Sequence, residues 1–399
     1  MLAAKGDIMA DNKNSDSKIT DLVEYRKKRK QKKAVTKLIV VLVLFISVWV
    51  IAANFSTIVE PLRGIASKID TKTSDEVGFP IKLTGSASYS FDSFGDCFSL
   101  LTDTYLYTYG MNGGQNYAVR HSYSKPVQCT NSNRILLYDK DYSSFALYNK
   151  TRQVYSNTVE EKIVFASLGE KDSAAVVTNS DRYSNIIYIY NGNGEWRYTR
   201  KFINENIMGV CFSSDERYIY VAAMGAENGE MYTEICKYDI TDESDAVWSY
   251  KYVSASIPVK MFVKKGNVCV MYDNSGISLK ESSGELAGIH NFSGTVLCCD
   301  GADSFMGVIY LDSSSNKKML ATIDYDMNVI AAMDISTNIN EVKADGGTIY
   351  VVRSGTLFGF NLDLKAMVEK PLSDDYISFI KIGNSVLFLG YNTVDIENL

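Results

Sequence analysis

Two hydrophobic patterns divide this chain. The first is one uncharged stretch, Leu38 to Ala53, reading LIVVLVLFISVWVIAA. A hydrocarbon core roughly 30 Å thick takes about 20 apolar residues of helix. Val35 to Phe55 reaches that length once Lys37 extends its ammonium back to the headgroups. Residues 38–55 are therefore predicted to form a single transmembrane helix. The second pattern begins near Pro80 and repeats. Short apolar runs recur at 98–102, 134–138, 174–178, 218–222, 267–271, 306–310, 348–352 and 385–389, a mean spacing of 41 residues. A second motif follows each run after a turn, at 106–110, 145–149, 187–191, 235–239, 277–281, 320–324, 357–361 and 393–397. In it apolar residues fall on alternate positions and end at a polar stop, the signature of a strand packed against a neighbouring sheet.

A period of about 40–45 residues belongs to β-propellers, in which each blade is a four-stranded sheet. The apolar runs then become second strands and the alternating motifs third strands. Turn residues follow, such as Asn112-Gly-Gly, Asn191-Gly-Asn-Gly, Ser283-Gly and Asp324-Tyr-Asp, and then a further short strand. The fold class is accordingly all-β: a propeller of eight four-stranded blades, with seven as the alternative, preceded by one transmembrane helix. The eighth unit ends at Leu399 just after its third strand, so its fourth must come from elsewhere. The strand-like stretch Ile81-Lys-Leu-Thr84 is available to complete it and close the ring. The domain reading is a basic leader at 1–37, the helix at 38–55, a connector at 56–79 and the propeller at 80–399.

Charge orients this arrangement. Residues 1–37 carry eleven Lys and Arg against five Asp and Glu, seven of the cations lying in Arg26 to Lys33. Residues 54–70 are balanced, so the positive-inside rule puts the amino terminus in the cytoplasm and the propeller outside the cell membrane. Cleavage after Ile51-x-Ala53 is the competing reading, disfavoured because the leader is too long and mixed for a secretory signal. Beyond the leader stand 30 basic and 42 acidic residues, a balance that argues against nucleic acid as a partner. The seven cysteines, at 97, 129, 211, 236, 269, 298 and 299, include no CxxC pair, and most sit in apolar runs. They read as small buried hydrophobes rather than a disulfide framework.

The stretch Val210-Cys-Phe-Ser-Ser-Asp-Glu-Arg-Tyr-Ile-Tyr-Val221 resembles a recurring element of WD40-like and Tol-B-like propellers, in which Ser and Asp side chains tie the turn between a blade's first two strands. Gly78-Phe-Pro-Ile-Lys-Leu-Thr-Gly85 and Ser93-Phe-Gly-Asp-Cys-Phe-Ser-Leu-Leu-Thr-Asp-Thr104 are similar to the entry of an uncharacterised family of single-pass membrane-anchored propellers from Gram-positive, clostridia-like bacteria. That resemblance covers the whole chain. It implies a bacterial envelope location and a fold, and it supplies no site.

Candidate chemistry is sparse. Outside the predicted helix only Trp196 and Trp248 occur, against a quinone-dependent dehydrogenase. Asp139-Lys-Asp141, Asp324-Tyr-Asp326 and Asp374-Asp375 are visible carboxylate pairs, all placed where turns are expected. His121 and His290 fall near the ends of fourth strands in different blades with no ligand cluster beside them. There is no GxSxG, phosphate loop or dinucleotide fingerprint. No residue is assigned as catalytic, cofactor-binding or metal-binding, no cofactor is expected, and the chain reads as a non-enzyme.

The first functional expectation is a protein-interaction or assembly module of the cell envelope whose partner is another envelope protein. The alternative is a binding or sensory module for a glycan, wall fragment or peptide, using tyrosines such as Tyr105 to Tyr109 or Tyr117. A wall-active hydrolase comes last. A scaffold should expose a broad apolar patch, a binder should bring aromatics to one mouth of the ring, and an enzyme should place two carboxylates in the channel, one desolvated.

Overall fold

Between neighbouring sheets of a ring, the middle strands of each sheet lose contact with water on both faces, and the outermost strand keeps one face wet. The burial follows this rule. Second strands such as Cys97–Leu101, Ile135–Asp139 and Ala174–Thr178 are buried at every residue. Outer strands such as Trp248–Val253, Val329–Asp334 and Ala366–Pro371 alternate or stay exposed. The computed structural model describes residues 78–399 except 84, 87, 243, 336–338, 340 and 373–375. The predicted leader, the transmembrane stretch and the connector up to residue 77 lie outside them. Among the described residues no helix is long and apolar enough to cross a membrane.

The described residues form eight four-stranded antiparallel sheets, each an up-and-down meander. Blade 1 spans 90–120, blade 2 126–158, blade 3 163–202, blade 4 206–253, blade 5 258–291, blade 6 294–334 and blade 7 343–371. Blade 8 takes three strands from the end of the chain, Tyr376–Ile382, Ser385–Gly390 and Thr393–Asn398, and its fourth from Ile81–Lys82. Ile81 lies opposite Val394 and Lys82 opposite Thr393, and Leu83 N donates to Asn392 O at 2.8 Å. The ring is closed as the repeat predicts, and all eight apolar runs and all eight alternating motifs are second and third strands. Thr84 lies outside the described residues.

The core is divided in the same way. Eight apolar clusters sit one between each pair of adjacent blades. Phe94, Cys97, Leu101 and Leu106 of blade 1, for example, meet Ile135, Leu137, Ala146 and Tyr148 of blade 2. Polar ties run beside them. Thr108, Ser278 and Thr322, each on a third strand, donate to the carbonyls of Lys150, Tyr325 and Leu362 in the next blade's outer turn, at 2.7, 2.6 and 2.6 Å. The polar stops build those turns: Asn149, Asn191, Asp324 and Asn361 each accept backbone N–H groups two to four residues on.

Candidate functional site

The meander makes the first strand of every blade run in the same direction. First strands of adjacent blades approach one another around the ring, so they wall a central channel. Their starts share one face with the connections between blades and the loops between second and third strands. Five of the first strands carry a bulge near that face, where the register skips Val164, Met208, Val259, Leu297 or Ile377. A bulge interrupts the free edge of a strand and re-aims a side chain, and every bulged residue here is apolar. Val259, Leu297 and Ile377 are 53, 45 and 55 % exposed. Ile203, Val253, Ile257, Tyr105, Tyr142 and Tyr391 are exposed on the same face. The other strongly exposed large apolar side chains among the described residues lie on outer strands and outer turns, at the rim.

Charged side chains from several blades occupy the channel wall. Lys260 Nζ of blade 5 donates to Asp300 Oδ1 of blade 6 at 2.8 Å and to Cys299 O at 3.1 Å. Asp300 Oδ2 accepts Ala344 N of blade 7 at 2.9 Å. Lys343 pairs with Glu341 at 2.9 Å, and Glu341 also accepts the Ser378 hydroxyl and Phe379 N of blade 8. Asp92 of blade 1 accepts Ser93 N at 2.9 Å and the hydroxyl of Thr130 in blade 2. Burial pushes its carboxyl above the ordinary value, while the Thr130 bond and the field of Lys343 oppose the rise. Burial works against the charge of Lys343 too, yet Glu341, Asp92 and Asp300 together carry its pKa upward and keep it cationic. The result is a mixed-charge cluster in which Asp300 and Glu341 are held by cations and backbone N–H groups, and Asp92 is the desolvated carboxyl.

Residues 68–399 match the model of the family of unknown function DUF5711. The chain belongs to that family. No curated protein matches it significantly. Its fold is similar to those of many solved structures, three among them being these. BamB from Moraxella catarrhalis has TM-score 0.55 and 11% identity over 81% of this chain and 97% of that one. Sqt1 from Saccharomyces cerevisiae has TM-score 0.60 and 8% identity over 80% and 98%. The C-terminal WD40 domain of Sif2 has TM-score 0.58 and 10% identity over 81% and 99%. At these identities the likeness is one of fold.

The DUF5711 propeller places the residues singled out in the sequence as follows. Asp139 accepts Ser124 N and Lys125 N at 3.1 and 2.7 Å, and Asp141 pairs with Lys125 at 2.6 Å. Asp324 builds its turn and Asp326 pairs with Lys280 at 2.9 Å. Both pairs are turn and tie residues: Asp139 and Asp141 fasten the entry to the first strand of blade 2, and Asp324 and Asp326 lie on an outer turn away from the channel. Asp374 and Asp375 lie outside the described residues. His121 is buried, its Nε2 3.1 Å from Thr102 O and its Nδ1 accepting Tyr123 N, and burial lowers its pKa. His290 packs edge-on to Phe292, again with a pKa lowered by burial. Tyr107, Tyr109 and Tyr117 stack within and between blades, with Tyr105 at the exposed end of the stack. They are packing residues.

Ser213 and Asp215 tie the turn of the FSSD element as the resemblance implies: Ser213 Oγ takes Tyr218 N at 3.0 Å, and Asp215 takes the Ser213 hydroxyl at 2.6 Å and Arg217 N at 3.1 Å. All seven cysteines are free and none is exposed. Burial pushes the Cys129, Cys211, Cys236, Cys269 and Cys299 thiols up to about 12. Sequence reasoning missed the channel charges and the bulges. The signal available was a single charged residue in otherwise uncharged first strands, as in Phe91-Asp92-Ser93 and Cys299-Asp300-Gly301.

Proposed function

We propose that this DUF5711 chain is a membrane-anchored interaction module of the cell envelope that docks a partner protein on the propeller face carrying the blade connections. The supporting observation is the set of exposed apolar residues on that face: the bulged Val259, Leu297 and Ile377 on strands that wall the channel, with Ile257, Ile203 and Tyr391 on the loops of the same face. Exposed apolar area on one face, rimmed by polar groups, marks a protein contact. The likeness to other propellers supports the fold of such a module and says nothing of its partner. The charged stretch at 26–33 and the apolar stretch at 38–53 support the anchor and the outward orientation.

For the hydrolase reading the channel holds carboxyls, one of them desolvated, but not an unengaged pair. Asp92 is a desolvated carboxyl in the channel, but Asp300 and Glu341 are already engaged by lysines and backbone N–H groups. Hydrolysis by a carboxylate pair needs a second group able to act as base or nucleophile, so the chain is proposed as a non-enzyme. The test is cross-linking in intact cells with the wild-type chain, a Val259→Glu/Leu297→Glu/Ile377→Glu variant and a rim variant, Met367→Glu. A stoichiometric envelope partner should be captured by the wild type and by Met367→Glu and lost from the triple variant. Equal capture by all three overturns the assignment of the face.

A further inference from the structure

Between blades 2 and 3 the outer flank opens into a groove of about 760 Å³, within the range of pockets that hold small organic ligands. One wall is a face of blade 3, where Tyr190 lies opposite Trp196, Tyr188 opposite Thr199 and Ile186 opposite Lys201. Residues directly opposite on antiparallel strands share a face. The other wall is the end of blade 2, Thr158 to Glu160.

Trp196 is 57 % exposed, although tryptophan is on average a highly buried residue. Its indole is nevertheless held, because Nε1 donates to Thr199 Oγ1 at 2.9 Å. The Tyr188 hydroxyl is held by Glu161 at 3.0 Å. Arg200 turns to the opposite face, its guanidinium 4.5 Å from the Tyr238 ring and bonded to Ser244 O at 3.1 Å. Arg200 nevertheless lines the groove, so the charges around it are Arg200 and Lys201 against Glu160 and the Glu161 that holds Tyr188, two of each sign. The position opposite the end of the third strand is Gln115, Gln153, Leu286, Val329 or Ala366 in five other blades; in blade 4 it is Trp248, which is half-buried against Tyr220 with Nε1 bonded to Glu281 O, so the exposed aromatic platform is that of blade 3.

We propose that this groove binds a neutral glycan chain, with one sugar ring stacked on the Trp196 indole and its hydroxyls bonded by Thr158, Glu160 and Lys201. A sugar presents an apolar C–H face to an aromatic ring and hydroxyls that both donate and accept. Balanced charge gives no selection for an ionic ligand, and a fixed indole loses little freedom on binding. An extended peptide adding to the edge of blade 3 meets the bulge at Arg197, where the ladder skips from Tyr198 to Trp196 and the even spacing that strand addition requires is lost.

The test titrates the full-length chain, held in a detergent without sugar headgroups, with chitotetraose, cellotetraose, maltotetraose and tetragalacturonate. Tryptophan emission and heat are followed together. At least one neutral tetrasaccharide should bind with a blue shift. Trp196→Ala should weaken it about tenfold or more with an unchanged melting temperature, Trp196→Phe should restore part of the loss, and Tyr391→Ala on the docking face should leave it unaltered. No binding of any neutral sugar at millimolar concentration overturns the proposal. So does tighter binding of tetragalacturonate, or undiminished binding by Trp196→Ala. None of these outcomes bears on the docking face, which is read separately by the cross-linking variants.

Discussion

At the scale of single residues, groups that cost stability stand out from groups that supply it. Glu216 supplies it: its carboxylate reaches from blade 4 to blade 3 and accepts Lys171 N and, at 3.2 Å, Ser173 N. Gly169 makes room, since a Cβ there would stand 2.2 Å from Glu216 Oε1. Glu216→Ala leaves those donors without their acceptor and should cost about 1–3 kcal/mol, measured by urea unfolding; an unchanged midpoint would remove the clasp from the account. Asp92 does the reverse. Its folded pKa is raised, so the fold holds the proton more tightly than the unfolded chain does. Its ionisation therefore takes stability away as pH rises from the unfolded value through the folded one, and the loss persists at neutral pH. Asp92→Asn should raise the melting temperature at pH 7 and match the wild type at pH 3. A lower melting temperature at pH 7 would show the attraction to Lys343 to be the larger effect. The cysteines complete this scale: a thiol reagent at pH 8 should find almost none in the native protein and seven after denaturation.

At the scale of strands and blades, legibility followed burial. Second strands are enclosed on both faces, so they can be read as continuous apolar runs; third strands are enclosed too, but alternate positions carry polar groups such as Thr108, Ser278 and Thr322 that tie to the next blade, and four of them end at Asx turns whose chemistry is local. First strands escaped because two local rules fail in them together. Bulges at Val164, Met208, Val259, Leu297 and Ile377 break the period of two, and channel charges replace apolar residues. Closure was legible by arithmetic alone: a final unit one strand short, and a strand-like segment spare near residue 81. The last strand, Thr393–Asn398, joins both ends of the ring. Removing residues 390–399 should thus abolish the cooperative transition of the whole propeller, seen by near-UV dichroism and thermal melting. A truncated protein that melts as the wild type does would contradict closure.

At the scale of the molecule, stability and the proposed docking surface occupy different places. The interblade clusters hold the ring, whereas the exposed bulged residues at the channel mouth touch little of it. The Val259→Glu/Leu297→Glu/Ile377→Glu variant should therefore melt within a few degrees of the wild type while losing its partner; a large drop in melting temperature would make these residues part of the core. The sequence by itself determined the repeat, the blade count, the closure and the turns, because each is set by contacts within about 41 residues or by the length left over. The proposed membrane anchor and outward domain rest on charge and hydropathy alone. Only the tertiary structure decided which side chains meet around the axis. Lys260, Asp300 and the Glu341–Lys343 pair come from three successive blades and Asp92 from blade 1 across the closure of the ring, and no local pattern specifies that they converge. The same holds for the Trp196 groove, whose walls belong to two sheets brought together by packing.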